Sequence, residues 1–459
     1  MLNNIIQQIC EKYISEVLDF FGGMELRKID EIEKELKAKT NKYLLEMIKV
    51  YLEGIDEAIA QDKANRTKKG YVIERKGDKR EIYTVFGNLE FKRRYYKNKL
   101  YGNYEYLLDK AVGIENYDRI SPTVSAALVE HASEVSYQKS SNYVCNGDIS
   151  RQTVKNKIRE IQGLKIEVPK EKLKAKYIHV EADEDHVSLQ DGTNTIVPLI
   201  SIHEGVVRNG KRGKCTNIHH ISSYGKSNEE LWQQATEWIY ECYDVDSIEK
   251  IYLHGDGAAW IKKGLEYLPK SHFVLDEYHL NQALKEISYG DKTLCTKLTD
   301  SVYKADKEYF KQMCREIRSR AQNESAKEKI DRLRRYILAN WDGVVIYQDY
   351  NSKGSNTEGH VSHVLSCRLS GRPMGWSKSG LRSMAELRAY HCNGGTVEVK
   401  HIKKSQYSYR LTKKALERAT KSFKKVSKEK FNNITILNFG KVNQLSRLLR
   451  NVRNSGYIF

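Results

Sequence analysis

Three carboxylates far apart in the chain, Asp183, Asp256 and Glu358, fall where the local sequence leaves an acid free to do chemistry. In "YIHVEADEDHV", from Tyr177, apolar Ile178, Val180 and Ala182 alternate with Glu181, Asp183 and Asp185, so one strand face projects three acids within a few residues. Like charges that close repel, and on a central strand they need cations. In "IYLHGDGAAWIKKG", from Ile251, a strand runs into Asp256 between two glycines and then into a helix. Gly255 and Gly257 clear room for backbone, metal or substrate, although capping the following helix is the simpler role for Asp256. Glu358 stands in the first turn of a helix whose start is signalled by Ser355 and Asn356, a place that also suits the helix dipole. Asp185 is the alternative to Asp183, and Glu386 in "SMAELR" is the alternative to Glu358. Oxygen donors of this kind suit Mg²⁺ or Mn²⁺, and two such ions about 3.5 to 4 Å apart serve phosphodiester chemistry.

The elements that must bring these acids together read as an α/β (α+β) domain. The first strand leads through Asp191-Gly192, a strong hairpin signal, into a second, and "TNIHHISSY" supplies a third. A helix over about 227 to 243 follows, with Leu231, Trp232, Ala235, Trp238 and Ile239 on one stripe. Then come the strand over 251 to 254, a helix, and "HFVLD" as a fifth strand. A three-strand meander followed by strand-helix units predicts a mixed sheet with helices on its faces, in ribonuclease-H-like order. Pairing of the first and fourth strands would set Asp183 beside Asp256. The expected catalytic domain covers 172–289 and 345–400, interrupted by a charged helical insertion over 290–344 and preceded by a linker, "VPKEKLKAK".

The remainder is basic. Lys and Arg number 78 against 60 Asp and Glu, a net charge of +18, which favours a polyanionic partner. Residues 1–65 read as a helical region and 66–120 as a basic β-hairpin region, with turn signals at Gly77-Asp78 and Gly87-Asn88. Arg93 and Arg94 in "FKRRYY" could grip nucleic acid, although a plain exposed hairpin explains them equally. Residues 121–167 have helix-turn-helix spacing. One helix stops near Asn146-Gly147, Asp148 or Ser150 caps the next, and Val154, Ile158 and Ile161 form its inward stripe. That second helix would present Arg151, Gln152, Lys155 and Asn156 to a major groove. The tail, 401–459, holds thirteen of the eighteen surplus positive charges, with Lys424 and Lys425 as candidate backbone contacts.

Eight scattered cysteines without CxxC pairing resemble free thiols of a reducing compartment. The amino terminus lacks the pattern of a signal peptide, and no apolar run approaches the roughly 20 residues that span a bilayer. A cytoplasmic, nucleoid-associated protein without a membrane partner is expected.

The strings "VEADEDHV", "YLHGDGAAWIKKG", "FVLDEYHLNQAL" and "NTEGHVSHVLSCRLSGRPMGWS", in this order, with "TVFGNLEFKRRYY" nearer the start, resemble the ISLre-type insertion-sequence transposases of Gram-positive bacteria. The resemblance extends over nearly the whole chain. It implies a DDE-type recombinase with a ribonuclease-H-like catalytic domain and, carried onto this sequence, Asp183, Asp256 and Glu358 as the catalytic metal ligands for two Mg²⁺ or Mn²⁺ ions. Double-stranded DNA, as element ends and target, would be the partner. Because two DNA ends must meet, a homodimer is expected. His279, in "DEYHLNQAL", resembles a position flanking the active site, while His360 and His363 would line DNA or bond phosphates in preference to binding zinc. The rival expectations are a non-catalytic DNA-binding regulator and a nuclease that cuts without strand transfer.

Overall fold

The computed structural model describes residues 2–23, 26–209, 212–353, 355–402 and 409–418 of the 459. The described residues divide into two compact units, one formed by those up to 127, 142–148, 402 and 409–418, the other by those within 128–141 and 149–401.

The second unit is a mixed α/β structure around a five-stranded sheet. β4 (Tyr177–Ser188) pairs antiparallel with β5 (Asn194–His203), which pairs antiparallel with β8 (His219–Ser222). On its other edge β4 pairs parallel with β9 (Lys250–Gly255), and β9 with β10 (Ser271–Leu275), giving the order β10-β9-β4-β5-β8. Gly192, at φ 84, makes the tight link from β4 to β5, and the Asp191 carboxylate accepts from the Thr193 amide at 3.0 Å. The expected meander and the pairing of its first strand with the fourth are therefore present. A two-stranded ribbon, β6 (Val206–Asn209) with β7 (Arg212–Cys215), stands between β5 and β8 and was not foreseen.

Alternation gives the sheet two unlike faces. Ile178, Val180, Ala182, Ile200, Ile202, Ile251 and Leu253 pack with the Leu231, Trp232, Ala235 and Ile239 stripe of the helix Asn228–Cys242, the predicted amphipathic segment. That helix starts at Ser227, whose side chain accepts from the Glu230 amide while Glu230 returns a bond to the Ser227 amide, a capping box. The opposite face carries Tyr252, which joins a core built from five helices: Glu277–Ile287, Lys292–Tyr303, Lys307–Ser319, Glu324–Ala339 and Trp341–Val345. The same face carries a buried polar group, His179, Glu181, His203 and His254, beside buried Val187, Val197, Leu199 and Val274.

In the first unit, helices Leu2–Phe21 and Ile29–Gln61 precede the long hairpin β1 (Tyr71–Thr84) with β2 (Gly87–Asn98), to which the short β3 (Tyr104–Glu105) adds. Leu52, Ile55 and Ile59 pack on Phe91, Tyr96, Leu107 and Leu108. Gly77-Asp78, expected as a turn, lies inside β1: the register shifts there and Gly77 takes φ +79, so the pair forms a bulge that lets β1 continue. The tail joins this unit at its start, where Tyr409 is buried in the same core and the Thr412 hydroxyl donates to Asp62 at 2.9 Å. Lys424 and Lys425 lie outside the described residues.

Candidate active site

β4 sets the site. Its register with β9 ends at Glu181 opposite His254, and two residues further along each chain come Asp183 and Asp256, beyond the carboxyl end of β9. Asp183 is partly buried, and burial pushes its carboxyl up to about 6, with the charges of Asp256 and Glu358 adding to the rise. The Glu184 amide, 2.9 Å away, and nearby His279 pull the other way. The three acids picked out in the sequence thus share one electrostatic environment, and among the described residues no Lys or Arg forms an ion pair with any of them.

Asp256 accepts from the Ala258 amide at 2.8 Å, a local turn, whereas the following helix, Ala259–Lys262, has Ala258 as its N-cap. Capping is therefore not the role of Asp256. Gly257 takes φ +92, and a Cβ there would collide with the Asn340 side chain, so only glycine lets the chain turn away from the acid at this point. Glu358 lies in the short helix Thr357–Val361, which continues through a π-helical turn, Ser362–Ser366, into Cys367–Leu369. π-turns of this kind concentrate at functional sites.

The alternative acids are engaged elsewhere. Asp185 is buried and accepts from the Ser366 hydroxyl at 2.9 Å and the Ser370 hydroxyl at 2.7 and 3.0 Å, so its oxygens are taken. Glu386 accepts from Ser223 at 2.7 Å and lines a cavity of about 690 Å³ with His219, Trp238 and Tyr390. Its environment is a different one.

His279 borders Asp183 and Asp256. Its Nδ1 bonds Asp276 at 2.9 Å, which raises the imidazole, and burial opposes that rise while the Asp183 and Asp256 charges add to it. Asp276, not among the acids expected at the site, is buried and caps the helix Glu277–Ile287 by accepting from the His279 amide at 3.1 Å.

His360 faces inward, contrary to its expected place along DNA. Its Nδ1 bonds Glu181 at 2.6 Å and its Nε2 lies 3.6 Å from the Cys215 sulfur. Burial disfavours charge on it, but the bonds to Cys215 and Glu181 lift it to about 9. The histidines behind it are the reverse: burial first, then neighbouring imidazoles, take His179 and His220 down to about 3. His179 Nδ1 meets His254 Nε2 at 3.0 Å, and His220 Nδ1 meets the Ser201 hydroxyl at 2.8 Å. Four strands each carry an inward histidine (His179, His203, His220, His254), a recurrence that could have been read from the sequence and was missed.

The carboxylates of Asp183, Asp256 and Glu358 fit a hard divalent cation by type. By distance, no group of three His, Cys, Asp or Glu among the described residues closes round a single ion.

The expected DNA contacts separate into two sets. Arg93 is only 7% exposed, paired with Asp109 and lying 3.4 Å from the centre of the Tyr106 ring. Arg94 donates to Asp56 at 2.6 Å and pairs with Glu57. Both guanidiniums are engaged within their own unit. Ser150 caps the helix Arg151–Arg159, accepting from the Thr153 amide at 3.2 Å, and Val154 and Ile158 are buried. Arg151, Gln152 and Asn156 are exposed and Lys155 partly so.

The fold and site define a mixed α/β protein with an acidic cluster at the carboxyl edge of its sheet, and no described helix is long and apolar enough to cross a membrane. The chain belongs to UPF0236, an uncharacterised protein family, whose model matches residues 23–406. It is 42% identical over 447 residues to UPF0236 protein TTE2489 of Caldanaerobacter subterraneus subsp. tengcongensis, covering 95% of this chain and 96% of that one. Another protein of that strain, whose name joins eleven labels from TTE0033 to TTE2212, is 41% identical over 461 residues, covering 98% and 97%. The UPF0236 protein in the vanSb 3′ region of Streptococcus gallolyticus is 24% identical over 386 residues, covering 80% and 84%. None of these matches carries a transposase name, so the ISLre-type membership expected from the motifs is replaced by membership of UPF0236.

Proposed function

We propose that the protein is a DNA transposase that cuts and joins phosphodiester bonds with the help of divalent cations, on a ribonuclease-H-like domain. The observation that carries the proposal is Asp183 beyond the last β4–β9 pair, its carboxyl raised to about 6 by burial first and then by the charges of Asp256 and Glu358, with no Lys or Arg paired to it among the described residues. A like-charged cluster of this kind is unfavourable by itself and becomes useful when cations arrive. Asp183, Asp256 and Glu358 would hold Mg²⁺ or Mn²⁺, which when bound favours both the attacking and the leaving oxygen of an in-line displacement. With Nδ1 committed to Asp276, His279 is left with Nε2 to present a proton to a phosphate oxygen.

Further support is the strand order β10-β9-β4-β5-β8, which is the ribonuclease-H order, and the net charge of +18. The exposed Arg151, Gln152, Lys155 and Asn156 suit recognition of terminal inverted repeats. A relative's name that joins eleven labels from one strain is what a coding sequence repeated within a genome would carry.

The test is purified full-length protein with Mg²⁺ and labelled DNA from both flanks of its own gene. Joined products are expected; hydrolysis without joining would indicate a nuclease, and binding alone a regulator. Asp256→Asn should bind the DNA within about twofold of wild type and lose at least ~10³-fold in cleavage, the scale of removing a group that acts on developing charge. Undiminished cleavage would reject the assigned ligand.

A further inference from the structure

We propose that Glu181 is a positioning residue that grips the helical turn carrying Glu358 and sets that acid opposite Asp183 and Asp256, an inference that rests on the proposed function for what Glu358 does. Glu181 is 1% exposed on the central strand, among histidines, with no Lys or Arg bonded to it among the described residues. A carboxylate so placed costs several kcal/mol unless its oxygens are satisfied. Glu181 has three donors: His203 Nε2 at 2.9 Å and the Asn356 amide at 2.8 Å on Oε1, and His360 Nδ1 at 2.6 Å on Oε2. One donor is fixed on β5, and the other two flank Glu358, two residues before it and two after.

Buried Thr357 and Val361 seat the turn against the unit, with Thr357 beside Asp276, but its own N-terminal hydrogen bonding is incomplete. Asn356 is the N-cap of Thr357–Val361 but makes no side-chain cap, and the amide that would otherwise be left over is the one Glu181 accepts. The helix lasts five residues before the π-helical turn, so regular helix geometry does not propagate a position to Glu358. A Cβ on Gly359 would collide with the Asn356 side chain, which shows how closely this turn is folded. Further along the same strand face, Asp185 holds Ser366 and Ser370. The outer two acids of β4 thus fasten the segment at both ends. Asp183, between them, accepts only the adjacent Glu184 amide among the described residues. Both oxygens of Glu181 are occupied, so it acts through Glu358 and takes no ligand itself.

The experiment compares wild type, Glu181→Gln, Glu358→Gln and the double variant as full-length chains, with two readouts: amide exchange of peptides spanning 355–366, and Mn²⁺ binding followed by the spectrum of the free ion. Glu181→Gln is expected to speed exchange in that segment about tenfold and to weaken Mn²⁺ binding about 10- to 100-fold, the range seen when a partner of a metal ligand is lost. In the Glu358→Gln background the same change should cost no further Mn²⁺ affinity, a non-additivity that general loosening would not give. Should Glu181→Gln fail to fold, His360→Asn tests the same grip from the helix side. Unchanged exchange overturns the proposal, as does faster exchange with unaltered Mn²⁺ affinity. Wild-type protein that binds no Mn²⁺, with exchange still quickened in the variant, would sink the metal reading and leave the hold of Glu181 on the turn intact.

Discussion

The hairpin unit and the sheet unit treat charge in opposite ways. On the hairpin, Arg93 lies against Asp109 and Arg94 against Asp56 and Glu57, so each guanidinium meets a carboxylate of its own unit. At the carboxyl edge of the sheet, Asp183 has no such partner, and burial first, then the charges of Asp256 and Glu358, push its carboxyl up to about 6. Ion pairs of the first kind hold a fold together once formed. An acid without such a partner contributes nothing to stability while it is charged.

The largest effect should come from breaking the paired side. Asp109→Ala leaves Arg93 buried beside Tyr106 without its carboxylate, and removing one partner of such a pair typically costs about 3–5 kcal/mol. Denaturant unfolding followed by tyrosine fluorescence of the first unit is the check. A loss below about 1 kcal/mol would mean that solvent reaches Arg93 and that the pairing is not structural.

How much of this contrast could be read in advance depends on the range of the interactions involved. The β4 alternation, the Asp191-Gly192 link and the helix stripe after Ser227 are local signals, and they led to the mixed sheet that is observed. Arg93 was misjudged although the clue was local too: Leu89, Phe91 and Arg93 share one face of β2, and all three are buried. Gly77-Asp78 shows a different failure, since a glycine with positive φ serves a bulge as well as a turn, and only the partner strand tells them apart. Glu181 was unreadable as a special acid because its donors come from β5 and from residues 175 and 179 positions away. The ribbon β6 with β7 is short and polar and has no apolar alternation to announce it.

The acidic side should respond in the opposite direction to the paired one. The Asp183 carboxyl is raised from its ordinary 3.8 to about 6, so ionisation is harder in the folded state than in the unfolded chain. Its stability contribution is therefore greatest below about 3.8 and is lost as pH rises through about 6. At pH 7.5, without divalent cations, Asp183→Asn should stabilise the sheet unit by about 1–3 kcal/mol. The gain should vanish near pH 3.5, where wild type is protonated, and shrink at pH 7.5 on adding Mn²⁺. A variant less stable than wild type at pH 7.5 would show that Asp183 is held by contacts that its charge does not outweigh.

The smallest effect sharpens the comparison at the surface, where cations are neither paired nor crowded. Arg151 and Lys155 project from a helix whose inward residues, Val154 and Ile158, carry the packing, and neither forms an ion pair among the described residues. Replacing either with Ala should leave stability within about 0.5 kcal/mol, since no buried contact is lost. If they meet DNA phosphates, each change should lower the slope of log affinity against log salt by about 1 and weaken binding to all sequences alike. Gln152 and Asn156, bonded to each other at 3.0 Å, would have to exchange that bond for base edges, so Gln152→Ala should weaken binding to the preferred sequence selectively and leave the salt slope alone. Unchanged slopes in both cation variants would move the DNA surface off this helix.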